Sequence, residues 1–195
     1  MKELNKEIER KYAIKYIPKN LEFEKVVNIN QSFIYNDLNT IIRIRKIENE
    51  DTKYVYTVKT KLNSSLEKDS KISNVCEIEN NITKEEYTQL KKGKIGNEIN
   101  KTRIVVPINK ELKVEIDLYK DYLEGLLTAE IEFKNEYEAK EFVKPGWLGK
   151  ELGYKDLSNW KLSKMTKDEW QAKLPNEILE NNKKIIQNLK LNYNL

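Results

Sequence analysis

Charged residues recur at every second position through much of this 195-residue chain, with mostly apolar residues between them. Glu7, Glu9 and Lys11 alternate with Ile8 and Arg10. Arg43 and Arg45 alternate with Ile42 and Ile44. The same spacing returns at Lys59 and Lys61, Glu77 and Glu79, Lys101 and Arg103, Glu115 and Asp117, and Glu130 and Glu132. Successive side chains of a β-strand point to opposite faces, so each pair shares one face, and apolar residues (Ile, Val, Leu, Tyr) predominate on the other. Apart from the terminal Lys11 of the first stretch, the sign is constant within a stretch. Ordinary solvent-facing strands mix signs, and like charges on one face repel unless an opposite charge sits between strands.

Turn residues and capping boxes divide the chain into eight predicted strands, at 4–16, 26–36, 40–48, 53–62, 73–81, 98–107, 111–119 and 125–134. Thr83 with Glu86 predicts a helix over 84–92, and a second short helix over 135–144 stops at Pro145-Gly146. Residues 63–71 read as a polar, mobile connection and 145–152 as a loop. Thr166 with Glu169 opens a helical C-terminal part, where Ile178, Leu179, Ile185, Ile186 and Leu189 follow helical spacing. The expected fold is α+β and mainly β. It is an eight-stranded antiparallel closed β-barrel over residues 1–165, with short flanking helices and a helical appendage over 166–195 packed on it.

If the charged faces converge inside such a barrel, the interior is not dry. An uncompensated buried ion costs several kcal/mol, against a net stability of ~5–15 kcal/mol for a domain. Lys11, Arg43, Arg45, Lys59, Lys61, Lys101 and Arg103 would form a basic wall. Glu7, Glu9, Glu77, Glu79, Glu115, Asp117, Glu130 and Glu132 would form an acidic one. A ligand that satisfies both is a polyanion carrying a hard divalent cation, a polyphosphate with Mg²⁺ or Mn²⁺.

Composition removes several alternatives. The chain has no histidine, which excludes Ser-His-Asp and Cys-His nucleophilic machinery and imidazole-based zinc sites. Its single cysteine, Cys76, excludes an intrachain disulfide and points to a reducing compartment. The net charge of +4 suits an anionic ligand and is too small to require nucleic acid. No run of about 20 apolar residues predicts a membrane span, and no secretory h-region is present. A cytoplasmic protein, monomer or homodimer, is expected.

The ordered set Glu7-Ile8-Glu9-Arg10-Lys11, Arg43-Ile44-Arg45, Thr57-Val58-Lys59, Glu77-Ile78-Glu79, Lys101-Thr102-Arg103, Glu115-Ile116-Asp117 and Glu130-Ile131-Glu132 resembles the CYTH superfamily, the triphosphate tunnel metalloenzymes. The first of these is that family's ExExK signature. Trp147-Leu148-Gly149-Lys150-Glu151 and Ser158-Asn159 resemble its closing segment. The likeness spans about residues 3–163. It implies an eight-stranded tunnel that binds a triphosphate. Lys11, Arg43, Arg45, Lys59, Lys101 and Arg103 would hold phosphates, with Lys61 in phase. Glu7, Glu9, Asp117, Glu130 and Glu132 would surround one or two metal ions.

Members of that family hydrolyse tripolyphosphate, thiamine triphosphate or RNA 5′-triphosphates, or cyclise ATP. Tripolyphosphate hydrolysis to phosphate and pyrophosphate is the expectation here, with nucleoside triphosphates as further substrates. Class IV adenylate cyclase and thiamine triphosphatase are the enzymatic alternatives, and a non-catalytic polyphosphate-binding barrel the other. Lys11, Glu7 and Glu9 are the expected catalytic residues. Either Lys11 or a metal-associated water near Glu7 and Glu9 serves as base, and the carboxylates beside Lys11 favour the water. Phe33 stands where the family's bacterial phosphatases carry a strand-two tyrosine. Tyr35 is the nearest hydroxyl on that face.

Overall fold

Residues 6–61, 73–153 and 156–193 are described by a computed structural model, with the exception of the side chains of 6, 7, 73 and 74. The expected connection over 63–71 lies outside them. Among the described residues, nine strands form one antiparallel sheet: β1 (Lys6–Ile14), β2 (Lys25–Asn36), β3 (Thr40–Glu48), β4 (Thr52–Lys61), β5 (Ser73–Ile82), β6 (Ile95–Pro107), β7 (Lys113–Tyr119), β8 (Leu127–Phe133) and β9 (Leu148–Leu152). Their order is β5-β4-β3-β2-β6-β7-β8-β1-β9, and β5 pairs additionally with β1.

Among the described residues, β1 is the strand with three partner strands. Ile8–Tyr12 pair with β8, while Lys6–Glu9 pair with β5 and Lys11–Ile14 with β9. Since residues 8, 9, 11 and 12 have partners on both sides, β5 and β9 divide the edge opposite β8 between them.

The ninth strand is a correction. Leu148–Leu152 reads as a loop because Gly149 lowers its strand propensity. It forms a short edge strand because β5 leaves the second half of β1 unpaired, and a β-bulge between Tyr12 and Ile14 adjusts the register.

The apolar rows of the alternating strands face away from the charged rows and need a cover. Ile8, Tyr12, Ile104, Ile116 and Ile131 form such a row, and it packs against α2 (Glu136–Glu141) and α5 (Asn176–Tyr193) through Ala139, Ile185, Ile186 and Leu189. Each large aliphatic side chain so buried contributes about 1.5–3 kcal/mol. The C-terminal helical part thus shares the core of the sheet.

A second apolar cluster lies across one end. Phe33, Ile99, Leu123, Leu126, Leu157, Leu162, Trp170 and Leu174 bring α3 (Asn159–Leu162) and α4 (Lys167–Gln171) against β2, β6 and the β7–β8 connection. Gly96 allows this closeness. Its φ is +75°, and a Cβ there would come within 2.7 Å of the Ser163 carbonyl. The adjacent Asn97 N–H donates to that carbonyl at 2.7 Å. α1 (Lys84–Lys91) carries the expected Thr83/Glu86 capping box and lies over β2–β4, with Tyr87 buried against Tyr54.

Candidate functional site

The charged rows meet in a cavity of about 960 Å³. The sheet order explains the distribution of sign. β4, β3, β2 and β6 are consecutive and supply Lys59, Arg43, Arg45, Lys101 and Arg103. β7, β8, β1 and β5 supply Glu115, Glu130, Glu132, Glu9, Glu77 and Glu79, with Lys11 as the cation among them. The sheet therefore has a basic arc and an acidic arc.

Where the arcs meet, the charges pair. At the β4/β5 seam, Lys59 Nζ lies 2.9 Å and Arg43 Nη2 3.3 Å from the Glu77 carboxylate, and Arg45 pairs with Glu79. At the β6/β7 seam, Asp117 accepts from Lys101 Nζ at 2.5 Å and from Arg103 Nε and Nη2 at 2.7 Å each. Arg103 also reaches Glu115, and Glu130 at 2.9 Å. Lys11 Nζ pairs with Glu130 at 2.8 Å and donates to the Leu157 carbonyl at 2.9 Å. The two walls are thus not separated by water alone: cross-strand ion pairs offset part of the interior charge.

Burial sets the protonation tendencies. Lys101 is pulled down to about 8, by burial first and then by Arg103, against the opposing effect of Asp117 and Glu130. Arg45 is lowered to about 10 by burial and by Arg43 beside it. Burial works to raise the Glu130 carboxyl, but Lys11, Lys101 and Arg103 together hold it well below the usual carboxylate range. Burial, Asp117 and Glu130 push the Tyr119 phenol well above its ordinary value, so it keeps its proton and donates to Asn159 Oδ1 at 2.9 Å.

Of the residues expected at the site, Glu9, Lys11, Arg43, Arg45, Lys59, Lys101, Arg103, Glu130 and Glu132 line the cavity. Lys61 does not. It is exposed at the end of β4 and donates to the Leu38 carbonyl at 2.9 Å. Asp117 is 0% exposed and sits behind Lys101 and Arg103 instead of at the surface of the cavity. Glu7 lies on β1 in phase with Glu9, and its side chain falls outside those described. Tyr35 is also displaced. The register shifts between Phe33 and Tyr35, leaving the phenol exposed and bonded to Asp37 at 2.9 Å.

The carboxylates expected to surround a metal differ in their surroundings. Glu130 and Asp117 are engaged by cations. Glu9 and Glu132 face each other directly in the β1–β8 register and both line the cavity. Opposed carboxylates repel, and a cation between them relieves that. Among the described residues, no group of three or more Asp, Glu, Cys or His forms a ready cage. A two-carboxylate, all-oxygen donor pair fits Mg²⁺ or Mn²⁺, which take one or two carboxylates and complete their shells with water and phosphate.

Alternating charge did not point to Gln31, which faces the cavity within an uncharged row, or to Trp160, which lies on α3. The signal for Gln31 was its phase with Ile29 and Phe33, three inward positions of one strand. Ser158, Asn159 and Trp160 close one end of the cavity, with Trp160 edge-on to Phe33 at 5.2 Å.

No protein-family model matches the chain, and no curated sequence does. Solved structures do. The inorganic triphosphatase NE1496 superposes with a TM-score of 0.55 at 25% identity, over 80% of this chain and 93% of that one. PH1012 from Pyrococcus horikoshii OT3 gives a TM-score of 0.53 at 17% identity, over 76% of this chain and 98% of that one. PH1819 from the same organism gives 0.51 at 20%, over 69% and 82%. The two archaeal proteins show a common fold. Among the described residues no helix is long and apolar enough to cross a membrane.

Proposed function

Because the chain has the fold of the CYTH superfamily, we propose that it is a divalent-metal-dependent triphosphatase that cleaves the terminal phosphate of inorganic tripolyphosphate. The observation that carries this reading is the cavity, in which a basic arc faces an acidic arc and both present side chains to one space. The likeness to an inorganic triphosphatase at 25% identity supports it. In this reading the β1–β5 ladder closes eight strands into a tunnel, with β9 as a flap on β1.

Arg43, Arg45, Lys59, Lys101 and Arg103 bind and orient the phosphates, and stabilise charge on the transferring and leaving groups. Water attacks the terminal phosphorus, the bridging P–O bond breaks, and phosphate and pyrophosphate leave with one proton released. Glu9 and Glu132, with Glu7 in phase, would hold Mg²⁺ or Mn²⁺, which would supply charge neutralisation and a more acidic water. Lys11, braced by Glu130 and the Leu157 carbonyl, orients the phosphate chain from the acidic side.

The test is phosphate release from tripolyphosphate, ATP and thiamine triphosphate with Mg²⁺ or Mn²⁺. Release from tripolyphosphate is expected. Binding without release marks a non-catalytic module, and pyrophosphate with a cyclic nucleotide marks a cyclase. A second reading, an organic triphosphate as substrate, is favoured by the apolar end that Phe33, Ile41 and Trp160 give the cavity. A preference for thiamine triphosphate or ATP over tripolyphosphate in the same panel would select it.

Three outcomes follow for the mechanism. Glu132→Ala should abolish metal-dependent release, and an unchanged rate removes the acidic arc from the reaction. Lys11→Ala should lower turnover while the dependence on metal concentration stays as in the wild type, and full activity removes Lys11 from the mechanism. The third concerns pH. An unfolded lysine titrates near ~10.4, and Lys101 in the fold near about 8. Between these values the unfolded chain binds the extra proton, so this group's contribution to stability rises with pH. Over the same range the cavity loses a cation. A fall in kcat/KM above about pH 8 is expected, and Lys101→Arg should move it to higher pH. A limb that does not move assigns it elsewhere.

A further inference from the structure

β2 lies in the middle of the basic arc, between β3 and β6, and it is the one strand there with no charge facing the cavity. Its inward side chains are Ile29, Gln31 and Phe33. Gln31 is 1% exposed, yet its Nε2 has no acceptor within reach. The same holds for the Nε atoms of Arg43 and Arg45 on the neighbouring strand. The register puts Gln31 opposite Arg45, and Phe33 opposite Arg43. Three buried N–H donors from two adjacent strands therefore belong to residues that line one stretch of the cavity.

Buried donors without acceptors are rare in folded proteins and work against stability. Arg offers donors only, and the orphaned end of Gln31 is its NH₂. A patch of this kind complements a group with several acceptor oxygens and a negative charge.

We propose that Gln31 is a substrate-binding residue which, with the Nε atoms of Arg43 and Arg45, forms a subsite for one phosphoryl group. This rests on the triphosphatase reading above and adds a neutral contact to it. An amide suits this place because Arg43 and Arg45 already repel each other, as the lowered pKa of Arg45 reflects. A third cation would add to that repulsion, whereas the amide adds a directed hydrogen bond and no charge.

Gln31→Leu keeps the approximate size and removes the donors. Gln31→Glu keeps size and polarity and adds a negative charge. Binding of tripolyphosphate is measured by calorimetry at two salt concentrations, with melting curves recorded with and without it. Gln31→Leu is expected to melt at the wild-type temperature or above, because an orphaned donor has been removed. Its affinity should fall about 10- to 100-fold, the range for a hydrogen bond to a charged group. The dependence on salt should stay as in the wild type, since no charge is lost. Gln31→Glu should bind more weakly still. If Gln31→Leu does not fold, Gln31→Glu decides by the same measurement. Wild-type affinity in the folded variants overturns the assignment of Gln31 alone. A wild-type protein that neither binds nor hydrolyses tripolyphosphate overturns the triphosphatase reading first.

Discussion

Arg45→Ala is expected to reduce kcat/KM for tripolyphosphate by about a thousandfold, the lower end of what a transition-state arginine supplies in phosphoryl transfer. The side chain is enclosed, with 13% of its surface exposed, and its carboxylate partner Glu79 is 44% exposed. Truncation therefore leaves behind an acid that water can solvate, not an unpaired buried charge. The fold should survive and the loss should be catalytic. Phosphate-release kinetics with a parallel melting curve check this. A decrease of less than tenfold, with the melting temperature unchanged, would mean that the basic arc is not where the transferring phosphate sits.

Asp117→Ala should behave in the opposite way. Its carboxylate is 0% exposed and binds both Lys101, 2% exposed, and Arg103. Removing it leaves a buried ammonium and half a guanidinium fork without a counter-charge. Breaking a buried pair from one side costs about 3–5 kcal/mol. In a chain of this length each kcal/mol moves the melting temperature by roughly 2–4 °C, so a fall of about 10 °C is expected. Urea unfolding should show a lower midpoint with an unchanged slope. A loss below about 1 kcal/mol would show that Glu115 and Glu130 hold the two cations unaided. Buried and paired with both Lys101 and Arg103, Asp117 has a structural part beneath the site.

The alternation that marks Glu9, Lys11, Arg43, Arg45 and Lys59 was legible because period two fixes the face a side chain takes, whatever the tertiary context. The same rule misplaces Lys61 and Tyr35. Lys61 ends its strand, and Tyr35 follows a bulge; phase carries no information once a strand stops or slips. Asp117 is in phase and still does not line the cavity, because depth within a packed interior depends on the neighbours, Lys101 and Arg103. β9 was hidden for another reason. Five residues including Gly149 have little preference of their own for a strand, and only the half-vacant edge of β1 makes them one. Gln31 shows the converse limit. Its phase with Ile29 and Phe33 turns it inward, but only the orphaned amide singles it out from them.

β1 has partners that are made much later than itself. Lys6–Glu9 join residues 73–76, Ile8–Tyr12 join 129–133, and Lys11–Ile14 join 148–152. Closing such long loops is slow, because chain entropy is lost before any contact is gained. β1, with its alternating Ile and Glu, keeps an open strand edge until Leu148–Leu152 has been synthesised. A chain that stops before Leu148 would keep half of that edge exposed, so early termination should give a sticky product instead of a smaller working one.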